Sequence, residues 1–348
     1  MASLDLSKLT AFLANGSSPR EPTAIDIHYL KGFKWNTIVS YNAAVKKFMK
    51  HRTETNRLPF VLPASADDIY QFCFWAGRNE EQQTTQEIKA TTVEKYLYGI
   101  QAWHEYHSQP YPKESKSKVS TLLKSSAKID AQVPDKPKKA AVQIRHLIFL
   151  NKHLEGKGPQ AEAIRDLALT AFWGMARLAE LTYPTESGQI SKARSLLTSD
   201  IQFEHSSQGE VATLVLRNAK TCAPGETQTI QLRSLNNPLC PVRAIRRRLD
   251  ECLQKETSLF GFYMEGKRYH LTRNMVVTAV RDAWKEGKFQ GLSGHSFRVG
   301  GASLRFAMGV PTEEICQLGR WVSDCYKLYI RQYSAAEKAE AKKMLRQI

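Results

Sequence analysis

The sequence predicts a mainly α protein: an N-terminal helical bundle followed by an α+β domain with one small antiparallel three-stranded sheet. Three observations predict it. Apolar residues recur at three- and four-residue steps through the first 130 residues; a basic, Pro-containing stretch follows at 131–141; and the period changes to two only between about residues 197 and 234. A chain of 348 residues is too long for one ordinary domain and comfortable for two. The expected organisation is therefore a helical domain over 1–130, a linker over 131–141, a second domain over 142–333 and a terminal helix over 334–348.

In chain order, Ile38, Tyr41, Val45, Phe48 and Met49 lie on one stripe of a helix from Asn36 to His51, with Asn42, Lys46, Lys47 and Lys50 on the other face. A second helix runs from Ser65 to Gly77, with Ser65 as N-cap and Asp67 and Asp68 favourable in its first turn. A third spans about Thr91 to His107 through Val93, Leu97, Ile100 and Trp103, and a weaker fourth spans Lys116 to Lys128. Four or five short helices make a compact bundle. Pro134 and Pro137 forbid helix continuation, which marks the linker. Helices are then expected over Gln143–Leu154 and Gly158–Leu181, and strands over Leu197–His205, Glu210–Thr221 and Glu226–Ser234, joined by SSQG and CAPGE turns. From Pro241 onward the pattern is helical again. In the tail, Ser334 and Glu337 form a capping box, and Ala341, Met344, Leu345 and Ile348 line one face that wants a partner.

With 42% hydrophobic and 24% charged residues the composition is that of a folded protein, so disordered and collagen-like readings fail. No window approaches eighteen uncharged apolar residues and the first residues lack a basic segment followed by an apolar run, so no membrane span or secretory signal is expected. Cys73, Cys222, Cys240, Cys252, Cys316 and Cys325 are scattered, which fits a reducing compartment and no zinc knuckle. The 50 Lys+Arg against 34 Asp+Glu give a formal charge of +16, a surface suited to a polyanion. No P-loop, dinucleotide fingerprint or H-E-x-x-H motif occurs, so no nucleotide, metal or other cofactor is expected.

The second domain instead carries a series of cationic donors. Arg177 sits in AFWGMARLAELT, an apolar segment where an arginine needs an anion or a carboxylate, and Glu180 is one turn on. Lys220 ends the second strand before a turn. His295 and Arg298 fall on one face of a helix start in GHSFRVGGAS, and LGRWVSDCYKLYIRQY brings Trp321, Tyr326, Tyr329 and Tyr333. Each motif alone has an ordinary structural explanation: Arg177 and Glu180 satisfying each other, a surface His beside an Arg, tyrosines packing along a helix.

Taken in order, Arg, Lys, His-x-x-Arg, Trp and Tyr behind a helical bundle and a basic linker, the chain resembles the tyrosine recombinases, including Cre-like and phage integrase-like enzymes. Its Trp-x-Ser-Asp and Tyr-Ile-Arg are most similar to the recombinases of eukaryotic crypton and DIRS-type mobile elements. The resemblance spans about residues 142–333 at motif level, with the bundle matching a core-binding domain in outline. It implies that Arg177, Lys220, His295, Arg298 and Trp321 are catalytic, that Tyr329 is the nucleophile and that Glu180 braces Arg177. Many bacterial members have one more residue between the His or Trp position and the tyrosine than the eight-residue step from Trp321 to Tyr329, and Tyr326 and Tyr333 remain alternatives.

The implied activity is site-specific DNA recombination through a 3′-phosphotyrosine link, which conserves bond energy and needs no ATP. Implied partners are double-stranded DNA and three further copies in a homotetramer at a Holliday junction, with a monomer or weak oligomer when free, and no membrane or small-molecule substrate. A neighbouring protomer would receive the tail helix. Asn42, Lys46, Lys47 and Lys50 are expected to face DNA. The implied location is the nucleus of a eukaryote or otherwise the nucleoid. Two other readings are a type IB topoisomerase and a non-catalytic DNA-binding protein, the latter encouraged by a helix–turn–helix pattern from Ser296 to Gln317.

Overall fold

The structure, a computed structural model, describes residues 4–134, 139–207, 209–217, 219, 222–223, 225–253 and 255–348. It divides into two compact units, Met1–Lys136 and Pro137–Ile348. The fold is mainly α with a small antiparallel three-stranded sheet.

The first unit holds six helices among the described residues: α1 (Thr10–Leu13), α2 (Ala24–Lys31), α3 (Trp35–Glu54), α4 (Ala66–Ala76), α5 (Ala90–Tyr106) and α6 (Lys116–Asp130). The sequence pattern reveals α3 to α6 and misses the two that precede them. Ser65 caps α4 reciprocally with Asp68, and Thr23 does the same with Asp26 for α2. Ile38, Val45 and Phe48 of α3 meet Phe72 of α4 and Ile100 and Trp103 of α5 in an aromatic core. The Phe48 ring lies 5.4 Å from Phe72 and 6.2 Å from Trp103.

The second unit comprises α7 (Ile144–Leu154), α8 (Pro159–Trp173), α9 (Leu178–Leu181), β1 (Ile201–Ser206), β2 (Gly209–Leu216), β3 (Gln228–Arg233), α10 (Pro241–Glu251), β4 (Gly261–Met264), β5 (Lys267–His270), α11 (Arg273–Glu286), α12 (Ser296–Ala307), α13 (Thr312–Gly319) and α14 (Ala335–Gln347). The sheet order is β1-β2-β3, with Ile201 opposite Leu214 and Leu214 opposite Ile230. Its buried face, Ala212, Leu214, Leu216, Ile230 and Leu232, joins the core around α8. Buried Asp166 of α8 binds Arg247 and Arg248 of α10, fastening the two helices.

Three expectations are corrected here. The helix expected over Gly158–Leu181 stops at Trp173: Gly174 follows, Met175 has φ +44°, and Arg177 has extended backbone as the N-cap of α9. Arg305 of α12 donates to the Trp173 carbonyl, satisfying an acceptor that the ended helix leaves over. The region after Pro241 is not all helix, because β4 and β5 form a hairpin within it. The segment from Trp321 to Tyr333 is no regular α-helix: Asp324–Leu328 form a 3-10 turn and Tyr329 lies just past it, so the three tyrosines do not share a helical face. In the single chain α14 lies against its own unit. Ala341 is buried, Met344, Leu345 and Ile348 join the main core, and Gln143 donates to Glu337 at 2.6 Å. No helix among the described residues is long and apolar enough to cross a membrane.

Candidate active site

Arg298 is the centre of the site. It stands in the first turn of α12 and is fully buried. Two glycines permit this placement: a Cβ on Gly300 would lie 2.1 Å from the Val142 carbonyl oxygen, and one on Gly301 2.1 Å from that of Phe172, so only bare backbone lets α12 press so closely. The Arg298 guanidinium donates to the Gly319 carbonyl at 2.5 Å and to the Met175 carbonyl, which is exposed to it because α8 has already ended. Thus the helix break that sequence periodicity does not reveal supplies half of the arginine's anchorage. The same guanidinium lies 4.2 Å from the Trp321 ring centre and 5.3 Å from that of Tyr329.

Around it a third, smaller apolar cluster gathers Met175, Ala302, Ile315 and Trp321, with Tyr326, Tyr329 and Ile330 packed against it. The Tyr329 ring is 5.0 Å from the Trp321 ring and 5.0 Å from the His295 ring. His295, exposed, is the residue that opens α12. Buried Ser303 of α12 accepts from the Arg331 N–H at 2.8 Å and donates to the Val299 carbonyl at 2.7 Å, with the Tyr329 carbonyl 3.3 Å away, and so holds the chain after Tyr329 against α12. The Trp321 indole Nε1 is buried without an acceptor among the described residues.

Arg177 enters from the start of α9. Its Nη1 donates to Glu180 Oε1 at 2.8 Å and its backbone N–H to Glu180 Oε2 at 2.9 Å. Burial alone would raise the Glu180 carboxyl, but Arg320 and then Arg177 outweigh it and hold it below the usual carboxylate range. Burial, with Arg177 and Arg320 as neighbouring like charges, brings Arg298 down to about 10. Three guanidiniums against one carboxylate leave a net positive pocket, shaped for an anion.

Not every sequence candidate belongs here. Lys220 lies outside the described residues. Tyr333 sits in the main core beside α14 instead of in the Arg298 cluster, and burial, aided by Glu337, pushes its phenol up to about 12. Tyr326 packs at the edge of the Arg298 cluster, but no ring contact joins it to His295 or Trp321 among the described residues.

In the first unit, Asn42 is corrected: it is 3% exposed, its Oδ1 accepts from the Phe12 N–H and its Nδ2 donates to the Lys8 carbonyl, both at 2.9 Å. Buried and bonded to the chain before α3, the amide is not presented to a base edge. Lys47 is half-buried, donates to the Gln86 carbonyl at 2.7 Å and lies 4.9 Å from the Trp75 ring, and burial lowers its ammonium. Lys50 pairs with Glu54 at 3.6 Å, and Lys46 is exposed. Among the described residues no group of three or more His, Cys, Asp or Glu is placed to hold a metal ion.

Sequence reasoning passed over Arg320. It follows the last residue of α13 in left-handed conformation, φ +59°, and its Nη2 donates to Glu180 Oε2 at 2.7 Å. The signal was an arginine directly before Trp321 in LGRW, which charge counting alone does not distinguish from a surface residue.

No family model matches the chain, and no curated protein does. Solved structures are similar. The XerH site-specific recombinase bound to palindromic difH substrate, a post-cleavage complex, matches with a TM-score of 0.56 at 12% identity over 98% of this chain and 90% of that one. XerH bound to difH in a pre-cleavage complex matches with a TM-score of 0.53 at 12% identity over 88% and 78%. A lambda integrase tetramer bound to a Holliday junction matches with a TM-score of 0.46 at 13% identity over 86% and 75%. The path of the chain through both units is accordingly that of the tyrosine recombinase fold.

Proposed function

We propose that this protein is a tyrosine site-specific recombinase that breaks and rejoins DNA strands through a 3′-phosphotyrosine intermediate. The observation that carries the reading is the convergence of Arg298, Trp321, His295 and Tyr329 on one another, with the Arg177–Glu180 pair beside them. A phosphate entering this pocket meets planar guanidinium donors, whose paired N–H groups fit two non-bridging oxygens in a way that an ammonium does not. Charge building on those oxygens is met by donors already in place. The Trp321 indole N–H, buried without an acceptor among the described residues, is a further donor to the same group.

Tyr329 Oη attacks phosphorus, His295 takes the phenolic proton, and the bond from phosphorus to the 5′ oxygen breaks. Lys220 supplies the proton that leaves the 5′ hydroxyl. The phosphodiester is thereby exchanged for a phosphotyrosyl ester and no external energy is needed. Attack by the 5′ hydroxyl of another strand reverses the step and completes the exchange. Tyr329 is the nucleophile over Tyr326 because it is the one within ring contact of both His295 and Trp321.

The natural setting we infer is a mobile element, with four copies acting on paired DNA sites and the free chain monomeric or weakly associated. The working location is then the nucleus in a eukaryotic host or the nucleoid otherwise. Exposed Lys46 is the candidate phosphate contact of the first unit.

The test uses a pool of nicked duplexes with randomised cores, in which a short strand diffuses away after cleavage and prevents resealing. Protein–DNA adducts that survive denaturation are collected and sequenced, which also identifies the target. Wild-type chain is expected to yield an adduct and Tyr329→Phe none. An adduct that persists in Tyr329→Phe and disappears in Tyr326→Phe would move the nucleophile. Relaxation of supercoiled plasmid lacking the selected sequence, without strand exchange, would instead favour the topoisomerase reading.

A further inference from the structure

Arg320 is used by nothing in the mechanism above, yet it is among the more demanding residues of the site. Its side chain is 7% exposed and its Nη2 donates at 2.7 Å to Glu180, whose own side chain is 5% exposed. On the other side its Nη1 reaches Gln228 Oε1 at 3.4 Å, and Gln228 is the first residue of β3, the strand that comes after Lys220 in the sequence. Its backbone is left-handed at φ +59°, ψ +43°, at the C-terminus of α13, a position where glycine carries no Cβ penalty and an arginine does. The buried ion pair with the Glu180 carboxylate offsets the cost of that backbone conformation.

What the contact achieves follows from Glu180. The two carboxylate oxygens are divided between the arginines: Oε1 receives Arg177 Nη1, while Oε2 receives both the Arg177 N–H and Arg320 Nη2. Without Arg320 the buried carboxylate would lose one of two cationic partners and Arg177 would lose a fixed acceptor. Trp321 is the next residue in the chain, and eight residues on is Tyr329. We propose, building on the recombinase reading above, that Arg320 is a positioning residue: it clamps Glu180 so that Arg177 is aimed at the phosphate, and it ties that brace to the segment carrying Trp321 and Tyr329 and to the strand that follows Lys220. It acts through Glu180 and does not itself grip the phosphate.

The test uses the full chain and the nicked duplex recovered from the randomised pool, in single-turnover cleavage. Wild-type adduct formation comes first, since its absence removes the recombinase reading and with it the basis of this inference. Given that adduct, Arg320→Gly, which relaxes the left-handed backbone while deleting the guanidinium, is expected to slow cleavage about 10- to 100-fold. Duplex affinity and its salt slope should stay at wild-type values. Glu180→Gln is expected to slow cleavage similarly, and the double variant to be no slower than the slower single one, because both act on the same guanidinium. Arg320→Lys, able to keep one bond to Glu180, should recover part of the rate; it also carries the test if the glycine variant does not fold. Wild-type cleavage by Arg320→Gly, multiplicative losses in the double variant, or a salt slope reduced by about 0.9, the signature of a lost phosphate contact, would each overturn the proposal.

Discussion

Replacing Asn42 by alanine separates two incompatible roles for this residue, a base-reading amide or an internal strut. In the structure Asn42 does what the chain before α1 does not. Leu9, the residue at the N-cap of α1, offers no side-chain acceptor, and Asn42 Oδ1, reaching across from α3, takes the Phe12 N–H of the first turn at 2.9 Å. Alanine would leave that buried N–H unpaired, at about 1–3 kcal/mol, and would lose the bond to the Lys8 carbonyl, at about 0.5–1.5 kcal/mol. A sum of about 1.5–4.5 kcal/mol corresponds to a roughly 10- to 2000-fold change in an opening equilibrium. The assay is amide hydrogen exchange on the full chain, read on peptides spanning residues 8–14 and 38–46. Asn42→Ala is expected to lose protection by that factor while the salt slope of duplex binding stays constant. Lys46→Ala should do the reverse, keeping protection and lowering the slope by about 0.9. Undiminished protection in Asn42→Ala together with a lower slope would refute the strut and return Asn42 to the DNA surface.

Two further outcomes are expected. Arg298→Lys should lower adduct formation about 10²- to 10³-fold in the same nicked-duplex assay, because an ammonium does not span the Met175 and Gly319 carbonyls and present a planar edge to phosphate as well; a variant that cleaves within threefold of wild type would contradict the central place given to Arg298. His51, buried among Phe48, Phe72 and Trp75, is brought by burial from 6.5 to about 4. A depressed histidine adds stability above its unfolded pKa and loses it as pH falls toward the folded one, so acidification from pH 7 to 5 should remove about 2 kcal/mol through this ring. In urea titrations at the two pH values, His51→Phe should diminish that loss, and an undiminished loss would show that the ring is not the sensor.

Periodicity made the four larger helices of the first unit legible because each buries one stripe, as Ile38, Val45 and Phe48 do. It also revealed the sheet, whose alternate residues face the core. It failed where backbone geometry decides. Nothing in GMAR marks Met175 as left-handed, and the apolar residues on both sides of the break read as one continuous stripe although they belong to two helices. Likewise the three- and four-residue spacing of Tyr326, Tyr329 and Tyr333 is helical, while a 3-10 turn followed by extended chain sends Tyr329 and Tyr333 into different clusters. Asn42 was misplaced because an amide on the polar side of an isolated helix looks solvated until the chain before it folds back over that side. Among site residues, those with an order and a neighbour, such as His295 with Arg298, were legible; Arg320, whose meaning lies in a carboxylate 140 positions earlier, was not.

The interruption after Trp173 separates two kinds of tolerance. Upstream, α8 packs the core, binds α10 through Asp166 and backs α12 at Phe172, and conservative exchanges on its core face alter how firmly the unit holds together. The next two residues shape the site: Gly174 leaves room for Ile230, since a Cβ would come within 2.5 Å of its side chain, and Met175 turns the chain and anchors Arg298 with its carbonyl. A sequence change that merely let the helix run on would pass most checks of folding and leave a sturdy protein with its guanidinium unmoored. In such a chain every charged side chain of the site would still be present, and the fault would lie in this short break between helices.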